Sequence, residues 1–139
     1  MIATAQEIEP VIVRQAHSGD LDLVRHSWLH GYRLSKQAAE VPGPVYYREQ
    51  HAVIERLIAH SSVSVCVLAD SPDVILGCAV IDGACAHWIY VKERFRRRGY
   101  CRAMLSPRVT SYSHRTAVGA TVAARRGMIY NPYLAKGAL

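Results

Sequence analysis

Apolar positions in the first 60 residues repeat first with the period of a strand and then with the period of a helix. Residues 10–16 are rich in β-branched side chains and predict a short strand. Behind Asp20, a residue favoured as a helix N-cap, apolar side chains recur three or four positions apart and predict a helix to about residue 36. The same spacing predicts a second helix over residues 46–60. Residues 37–45 contain two prolines and a glycine, so a loop is expected between the helices.

Three strand patterns follow in the middle of the chain, separated by short turn sequences. They cover residues 62–69, 74–81 and 84–91. The connectors begin at Asp70 and Asp82 and carry the Asp, Ser, Pro and Gly residues typical of tight turns. Because the connectors are so short, the three strands are expected to form an antiparallel meander.

The last of these strands leads into a strongly basic loop and then into a helix. The loop, Lys92 to Arg98, holds five basic residues and one acidic residue, and Gly99 follows it. The free N–H groups and the positive dipole of a helix N-terminus favour an anion, and arginine side chains can add charge-assisted hydrogen bonds. The pattern predicts an anion site, with a solvated basic turn as the structural alternative.

The final third of the chain is predicted to alternate between helix and strand. The helix after the basic loop is expected to stop at Ser106-Pro107, because proline cannot continue a helix. The remaining elements are a strand at 108–114, a helix at 116–126 ending at Gly127, and a strand at 128–134. The predicted fold class is α/β (α+β), with a mixed, mostly antiparallel sheet of about six strands flanked by about four helices.

Composition limits the class of protein without choosing a function. The 139 residues suffice for one core, so residues 1–139 are expected to form a single domain. No apolar run approaches the ~20 residues that cross a bilayer. Because Met1 to Glu7 lack the features of a secretory signal, we expect a cytoplasmic protein with no membrane partner. The four cysteines lack zinc-site spacing and are expected to be reduced core thiols, so no metal is expected.

The net charge of +6, with 14 arginines among the 17 basic residues, is compatible with two kinds of polyanion. One is nucleic acid, bound by the arginines together with exposed aromatic side chains. The other is a polyanionic cofactor held at the basic loop. Charge alone does not choose between them.

The residues Arg96-Arg97-Arg98-Gly99-Tyr100-Cys101 resemble the Arg/Gln-x-x-Gly-x-Gly/Ala signature with which the GNAT superfamily of N-acetyltransferases holds the pyrophosphate of acetyl-coenzyme A. The order of predicted elements (strand, two helices, three strands, helix, strand, helix, strand) also resembles that of the family over nearly the whole chain. Within the superfamily the chain looks most like small bacteriophage-encoded GNAT-like proteins, at Trp28, Tyr46-Tyr47, residues 90–92, residues 95–97, residues 112–116 and residues 130–134.

The resemblance implies an N-acyltransferase that uses acetyl-CoA, or another acyl-CoA, as cosubstrate. Such an enzyme passes the acyl group directly to an amine in a ternary complex; the acceptor amine here is unidentified. The family's cofactor contacts correspond to the main chain of Ile89, Tyr90 and Val91 for the pantetheine, and to Arg96, Arg97, Arg98, Gly99, Tyr100, Cys101 and Arg102 for the pyrophosphate.

Three further residues are candidates for proton transfer. Tyr130 is the candidate acid that protonates the departing thiolate, with a core tyrosine as the structural alternative. His87 and His114 are candidates for the general base, since an unperturbed histidine pKa of ~6.5 suits that task. For both histidines the alternative is a surface or capping position.

Two departures from the family pattern support an alternative function. Cys101 stands where Gly or Ala is expected, and a seventh strand is missing from the predicted order. The alternative is a catalytically degenerate GNAT-like phage protein that acts by binding nucleic acid or a host protein. A sheet without its seventh strand also has a free edge, through which two copies could form a homodimer. Binding of coenzyme A is the property that separates the enzyme from both alternatives.

Overall fold

A six-stranded sheet organises the computed structural model, which describes residues 10–136. Its strands are β1 (Val11–Gln15), β2 (Ser62–Leu68), β3 (Ser71–Asp82), β4 (Cys85–Val91), β5 (Ser111–Tyr112) and β6 (Ile129–Tyr130), and they lie in sequence order. The pairs from β1 to β4 are antiparallel, whereas β4 with β5 and β5 with β6 are parallel. This confirms the predicted mixed, mostly antiparallel sheet. The expected lack of a secretory signal concerns Met1 to Glu7, outside the described residues.

Six α-helices accompany the sheet in the described part of the chain. They are α1 (Leu21–Arg33), α2 (Lys36–Ala39), α3 (Gly43–His60), α4 (Tyr100–Met104), α5 (Ala117–Arg126) and α6 (Tyr133–Lys136). The order of elements is the predicted one except for the short helices α2 and α6, which raise the number above the four expected. Within residues 10–136 no helix combines the length and apolar character needed to cross a membrane.

The predicted loop at residues 37–45 is wrong, because most of this segment is helical. The Ser35 hydroxyl caps α2 by accepting a hydrogen bond from the N–H of Ala38 at 3.2 Å. Pro44 lies in the first turn of α3, where its fixed φ suits a helix and its missing N–H costs nothing. Prolines in this segment therefore begin a helix.

Asp20 is the N-cap residue of α1, as predicted, but its side chain closes the preceding turn and makes no capping hydrogen bond to α1. Its carboxylate accepts a hydrogen bond from the N–H of His17 at 2.7 Å and pairs with the guanidinium of Arg14 at 2.7 Å. The bond from Arg14 is the main reason that the pKa of Asp20 lies below its usual value. Asp20 thus stabilises the single 3-10 turn Ser18–Asp20, which precedes α1.

The last two strands are shorter than predicted. β5 ends at Tyr112, and the side chains of the next two residues, Ser113 and His114, form hydrogen bonds in the interior. β6 ends before Asn131, whose side chain accepts a hydrogen bond from the N–H of Tyr133 at 3.1 Å and starts α6. The predicted helix at 116–126 is confirmed, with Thr116 as its N-cap.

The core lies on both faces of the sheet. On one face, α1 and α3 cover the central strands with Val24, Trp28, Ile54 and Leu57. The other face is covered by α4, through Tyr100 and Met104. The cysteines of the strands, Cys66, Cys78 and Cys85, are buried as expected of core thiols, and burial raises the pKa of Cys78 to about 12.

Gly77 allows β3, β4 and α4 to pack closely. A Cβ atom at this position would lie 2.3 Å from the carbonyl oxygen of Tyr90 and 3.2 Å from the side chain of Met104. The first contact is with backbone, which cannot move aside. The close packing of the C-terminal half of β4 against β3 therefore requires glycine at position 77.

Candidate functional site

β4 pairs with β5 at only its first two residues. Cys85 lies opposite Ser111, and Ala86 lies opposite Tyr112. Within residues 10–136 no strand pairs with this edge of β4 beyond Ala86. The edge is therefore open beside residues 89–91, which the family resemblance assigns to pantetheine.

A β-bulge determines which backbone groups face the open edge. The register against β3 skips His87, which is an extra residue in β4. Further along, Lys92 donates its N–H toward β3, to the carbonyl of Leu76 at 2.8 Å. Because backbone groups alternate in direction along a strand, the N–H groups of Ile89 and Val91 face the open edge, whereas those of Tyr90 face β3.

The basic loop between β4 and α4 contains two residues with left-handed backbone. Glu93–Phe95 forms a single 3-10 turn. Arg97 then has φ 67° and Gly99 has φ 84°. A side chain is disfavoured at such angles, so the conformation of Arg97 is held by the turn around it.

The arginines of this loop have different environments. Arg96 is half-buried, and its Nε donates to the carbonyl of Val91 at 2.8 Å, so its side chain fastens the loop to the end of β4. Arg97 and Arg98 are exposed, and the guanidinium of Arg98 lies 5.7 Å from the ring centre of Phe95. Arg94 is exposed as well, with its guanidinium 4.9 Å from the ring centre of Phe95, so the loop presents several positive charges to solvent.

α4 provides a helix N-terminus directly after Gly99. Its first intrahelical bond runs from the N–H of Ala103 to the carbonyl of Gly99 at 3.0 Å, so the N–H groups of Tyr100, Cys101 and Arg102 precede it. The Tyr100 side chain is buried in the core, and Cys101 packs against buried residues on the inner side of the helix. The Cys101 side chain is therefore accommodated within the core, and Arg102 is exposed.

Tyr130 is a half-buried residue of β6. Its ring lies 5.4 Å from that of Tyr112, and the guanidinium of Arg115 lies 5.7 Å from its centre. Burial raises the pKa of Tyr130, partly opposed by the charge of Arg115. The hydroxyl is consequently protonated in neutral solution, as a proton donor must be. Burial is the main cause that raises the pKa of Tyr32, and electrostatic repulsion by Tyr130 raises it further.

His87 and His114 are both buried and are joined through one serine. They are 2% and 9% exposed, so neither occupies the surface position that the sequence also allowed. The Ser113 Oγ lies 2.7 Å from Nδ1 of His87 and 2.9 Å from Nδ1 of His114. Burial lowers the pKa of both histidines, and that of His114 falls to about 3. Both rings are therefore neutral at pH 7.

A cavity of about 220 Å³ opens between α1, α2 and α3. It is lined by Tyr32, Gln37, Ala38, Val41, Tyr46, Glu49 and Gln50. Arg33 holds its rim, because Nη1 donates to the carbonyl of Ala38 at 3.0 Å and to that of Val41 at 2.7 Å. We call this cavity the helical pocket.

Gln50 connects the helical pocket to the buried histidines. Its Nε2 lies 2.9 Å from Nε2 of His114, and the ring of Tyr32 lies 4.7 Å from the His114 ring. Sequence reasoning named both histidines but missed Gln50 and Ser113. A signal for Gln50 exists, since it lies four positions after Tyr46 on the apolar stripe of its helix. A polar side chain on that stripe needs a buried partner.

No metal site is found among residues 10–136, since they contain no group of three or more His, Cys, Asp or Glu side chains arranged to hold an ion. The expectation that no metal takes part stays a prediction.

Comparison with known proteins yields a structural neighbour and no family. No family model matches the chain, and no curated protein matches it. Among solved structures, the chain is similar to a possible acetyltransferase from Clostridium difficile 630, with a TM-score of 0.48 and 11% sequence identity over 86% of this chain and 77% of that chain. A likeness of this size assigns no activity to this chain.

Proposed function

We propose that this protein is an acyl-CoA-dependent N-acyltransferase that passes an acetyl group to an amine. The observation that carries the proposal is the open edge of β4, which continues directly into the basic loop. A pantetheine chain has amide groups that can pair with an open strand edge, as an added peptide strand does. Ile89 and Val91 direct backbone N–H groups there, although the carbonyl of Val91 already accepts from Arg96.

The basic loop suits the diphosphate at the other end of such a molecule. The exposed guanidinium groups of Arg97 and Arg98 can bind phosphate oxygens bidentately. Because Cys101 packs inward, its extra size does not fill the space above the turn. The residues present therefore fit an acyl-CoA cosubstrate, which when bound supplies the activated acyl group.

For the transfer itself, the chain must stabilise a developing oxyanion and provide a proton. A backbone N–H on the open edge, at Ile89 or Val91, is a suitable oxyanion donor. Tyr130, protonated at neutral pH, can give its proton to the departing thiolate. His114, with a pKa of about 3, is a weak base, so it is better suited to orienting neighbours than to deprotonating an ammonium group. His87 is 2% exposed, burial lowers its pKa, and its Nδ1 is bonded to Ser113, so it is also poorly placed to accept a proton and the base stays unassigned.

The helical pocket is our candidate site for the acceptor. Tyr32 and Tyr46 supply aromatic walls, with the Arg33 guanidinium 5.0 Å from the centre of the Tyr46 ring, and the Glu49 carboxylate at the opening pairs with Arg48 at 2.9 Å. The two tyrosine rings together with Ala38 and Val41 favour an acceptor with an apolar body. The cytoplasmic location, the phage origin and the homodimer stay predictions from the sequence.

Calorimetric titration of acetyl-CoA tests the proposal. We expect micromolar binding, about −8 kcal/mol, to the unaltered protein. The double variant Arg97→Glu/Arg98→Glu should lose it, whereas Arg48→Glu, at an exposed position on α3, should retain it. No binding to the unaltered protein would overturn the enzyme proposal. Binding of nucleic acid with a steep salt dependence, or of a host protein, would then be tested in its place.

A further inference from the structure

Four side chains form one continuous hydrogen-bonded chain from the helical pocket to the bulge of β4. It runs from Gln50 Nε2 to His114 Nε2 at 2.9 Å, then from His114 Nδ1 to Ser113 Oγ at 2.9 Å, and from Ser113 Oγ to His87 Nδ1 at 2.7 Å. Ser113, His114 and His87 are all buried. We call this set the polar chain.

The direction of every bond in the polar chain follows from its first donor. A neutral imidazole has one N–H and one lone pair, and an amide nitrogen can only donate. Because Gln50 donates to Nε2 of His114, the His114 proton is on Nδ1 and is donated to Ser113. The single hydroxyl proton of Ser113 then goes to Nδ1 of His87. The His87 proton is consequently on Nε2.

We propose that Gln50 is a positioning residue whose amide sets the tautomer of His114 and, through Ser113, the tautomer of His87. If the amide turns so that Oε1 faces His114, each bond reverses, and the proton of His87 moves from Nε2 to Nδ1. Ser113 Oγ could accept from both histidines only if its own proton went to another acceptor, and Cys85 Sγ, which lies 3.8 Å from Nδ1 of His87, accepts only weakly, so the two uniform directions are favoured over a mixture. A change at the pocket wall is thereby transmitted to β4 without a change in the backbone.

The Gln50 side chain also lines the helical pocket, so a ligand in the pocket can select the direction of the hydrogen bonds in the polar chain. An ammonium group donates to the amide oxygen and leaves Nε2 with His114. A carboxylate attracts Nε2 and turns Oε1 toward His114. An amine and an acid in the pocket would thus leave His87 with opposite tautomers. This ligand dependence rests on the proposed function, whereas the coupling between Gln50 and His87 does not.

Nitrogen NMR of the protein with 15N-labelled histidine tests the coupling, because the chemical shifts of the two ring nitrogens identify the tautomer. In the unaltered protein at pH 8 we expect the His87 proton on Nε2. In Gln50→Glu the new carboxylate can only accept, so the proton should move to Nδ1. The matched control Gln37→Glu adds the same charge to the same pocket and should leave His87 unchanged. Adding Ser113→Ala to Gln50→Glu should abolish the response.

An unchanged His87 tautomer in Gln50→Glu would overturn the proposal. If that variant does not fold, Gln50→Met keeps the shape of the side chain and removes its hydrogen bonding. We then expect a mixture of His87 tautomers, and a single tautomer like that of the unaltered protein would overturn the proposal. These spectra are recorded without coenzyme A. A failed acetyl-CoA titration therefore leaves the coupling intact, and a failed NMR test leaves the cosubstrate site intact.

Discussion

The two ends of β4 differ in how they could act on a ligand. The C-terminal end offers backbone groups at an open edge and exposed arginines in the loop that follows. The N-terminal end, at His87, holds a buried set of side chains from three separate parts of the chain. The basic loop at the first end depends on local sequence, so its charge is visible in a short motif. The second depends on packing, because Gln50 and Ser113 reach the histidines only in the folded protein.

The largest expected effect concerns the C-terminal end. Gly99 has φ 84°, and an added Cβ would meet no atom within 4 Å, so a side chain there projects into the space beside the turn. Gly99→Glu should weaken acetyl-CoA binding by at least about 100-fold, through like-charge repulsion of the phosphates. Gly99→Asn, which tolerates left-handed backbone and adds no charge, is the control. Equal losses in both variants would show that backbone strain, and not the anion site, is responsible.

The next effect concerns the buried histidines and the pH dependence of stability. The pKa of His114 is about 3 in the folded protein and about 6.5 when unfolded. As pH falls below 6.5, the unfolded chain binds a proton that the folded protein excludes, so the free energy of unfolding decreases. We expect His114 to account for a loss of about 1.4 kcal/mol per pH unit between pH 6 and pH 4.5. Burial also lowers the pKa of His87, so His87 should add to the loss in the free energy of unfolding.

Chemical denaturation at several pH values measures this slope. His114→Asn should flatten it, whereas His51→Asn, at an exposed position of α3, should leave it unchanged. A slope that is the same in all three proteins would show that His114 is not excluded from protonation in the folded state.

A smaller effect is expected at Gly77, which supports the C-terminal end of β4. Gly77→Ala places a methyl group against the carbonyl oxygen of Tyr90, and the backbone must shift to relieve the contact. We expect a loss of about 2 kcal/mol in the free energy of unfolding, as for other overpacked sites. Gly43→Ala, where an added Cβ meets no atom within 4 Å, is the control for denaturant unfolding. A loss at Gly43 as large as that at Gly77 would contradict the packing argument.

The smallest effect separates two neighbouring arginines. Arg96→Ala removes the hydrogen bond to the carbonyl of Val91 and should cost about 1 kcal/mol of stability. Arg98→Ala should leave stability unchanged and weaken acetyl-CoA binding, because its guanidinium is exposed beside the turn. Thermal unfolding and calorimetry on both variants measure the contrast. If the two variants had the same stability and the same affinity for acetyl-CoA, the two side chains would share one role.

Much of the fold follows from local pattern. The meander β2 to β4 and the helix α5 were predictable because strand and helix periodicities are strong there and turn residues separate them. The end of α4 before Ser106-Pro107 follows from the chemistry of proline. The errors lie where a short-range hydrogen bond outweighs composition. Ser35 caps a helix in a segment that its prolines had suggested was a loop, and Asn131 begins α6 in place of a continued strand.

The sequence by itself determined the strand, basic loop and helix at residues 85–104, because each depends on neighbours a few positions away. Only the tertiary structure decided that β4 loses its partner after Ala86 and that His87 is an extra residue in its register. It also decided that Gln50 and His114, 64 positions apart, are hydrogen-bonded. The physical reason is that register and burial are properties of the whole packed chain, and they determine which polar groups must find one another away from water.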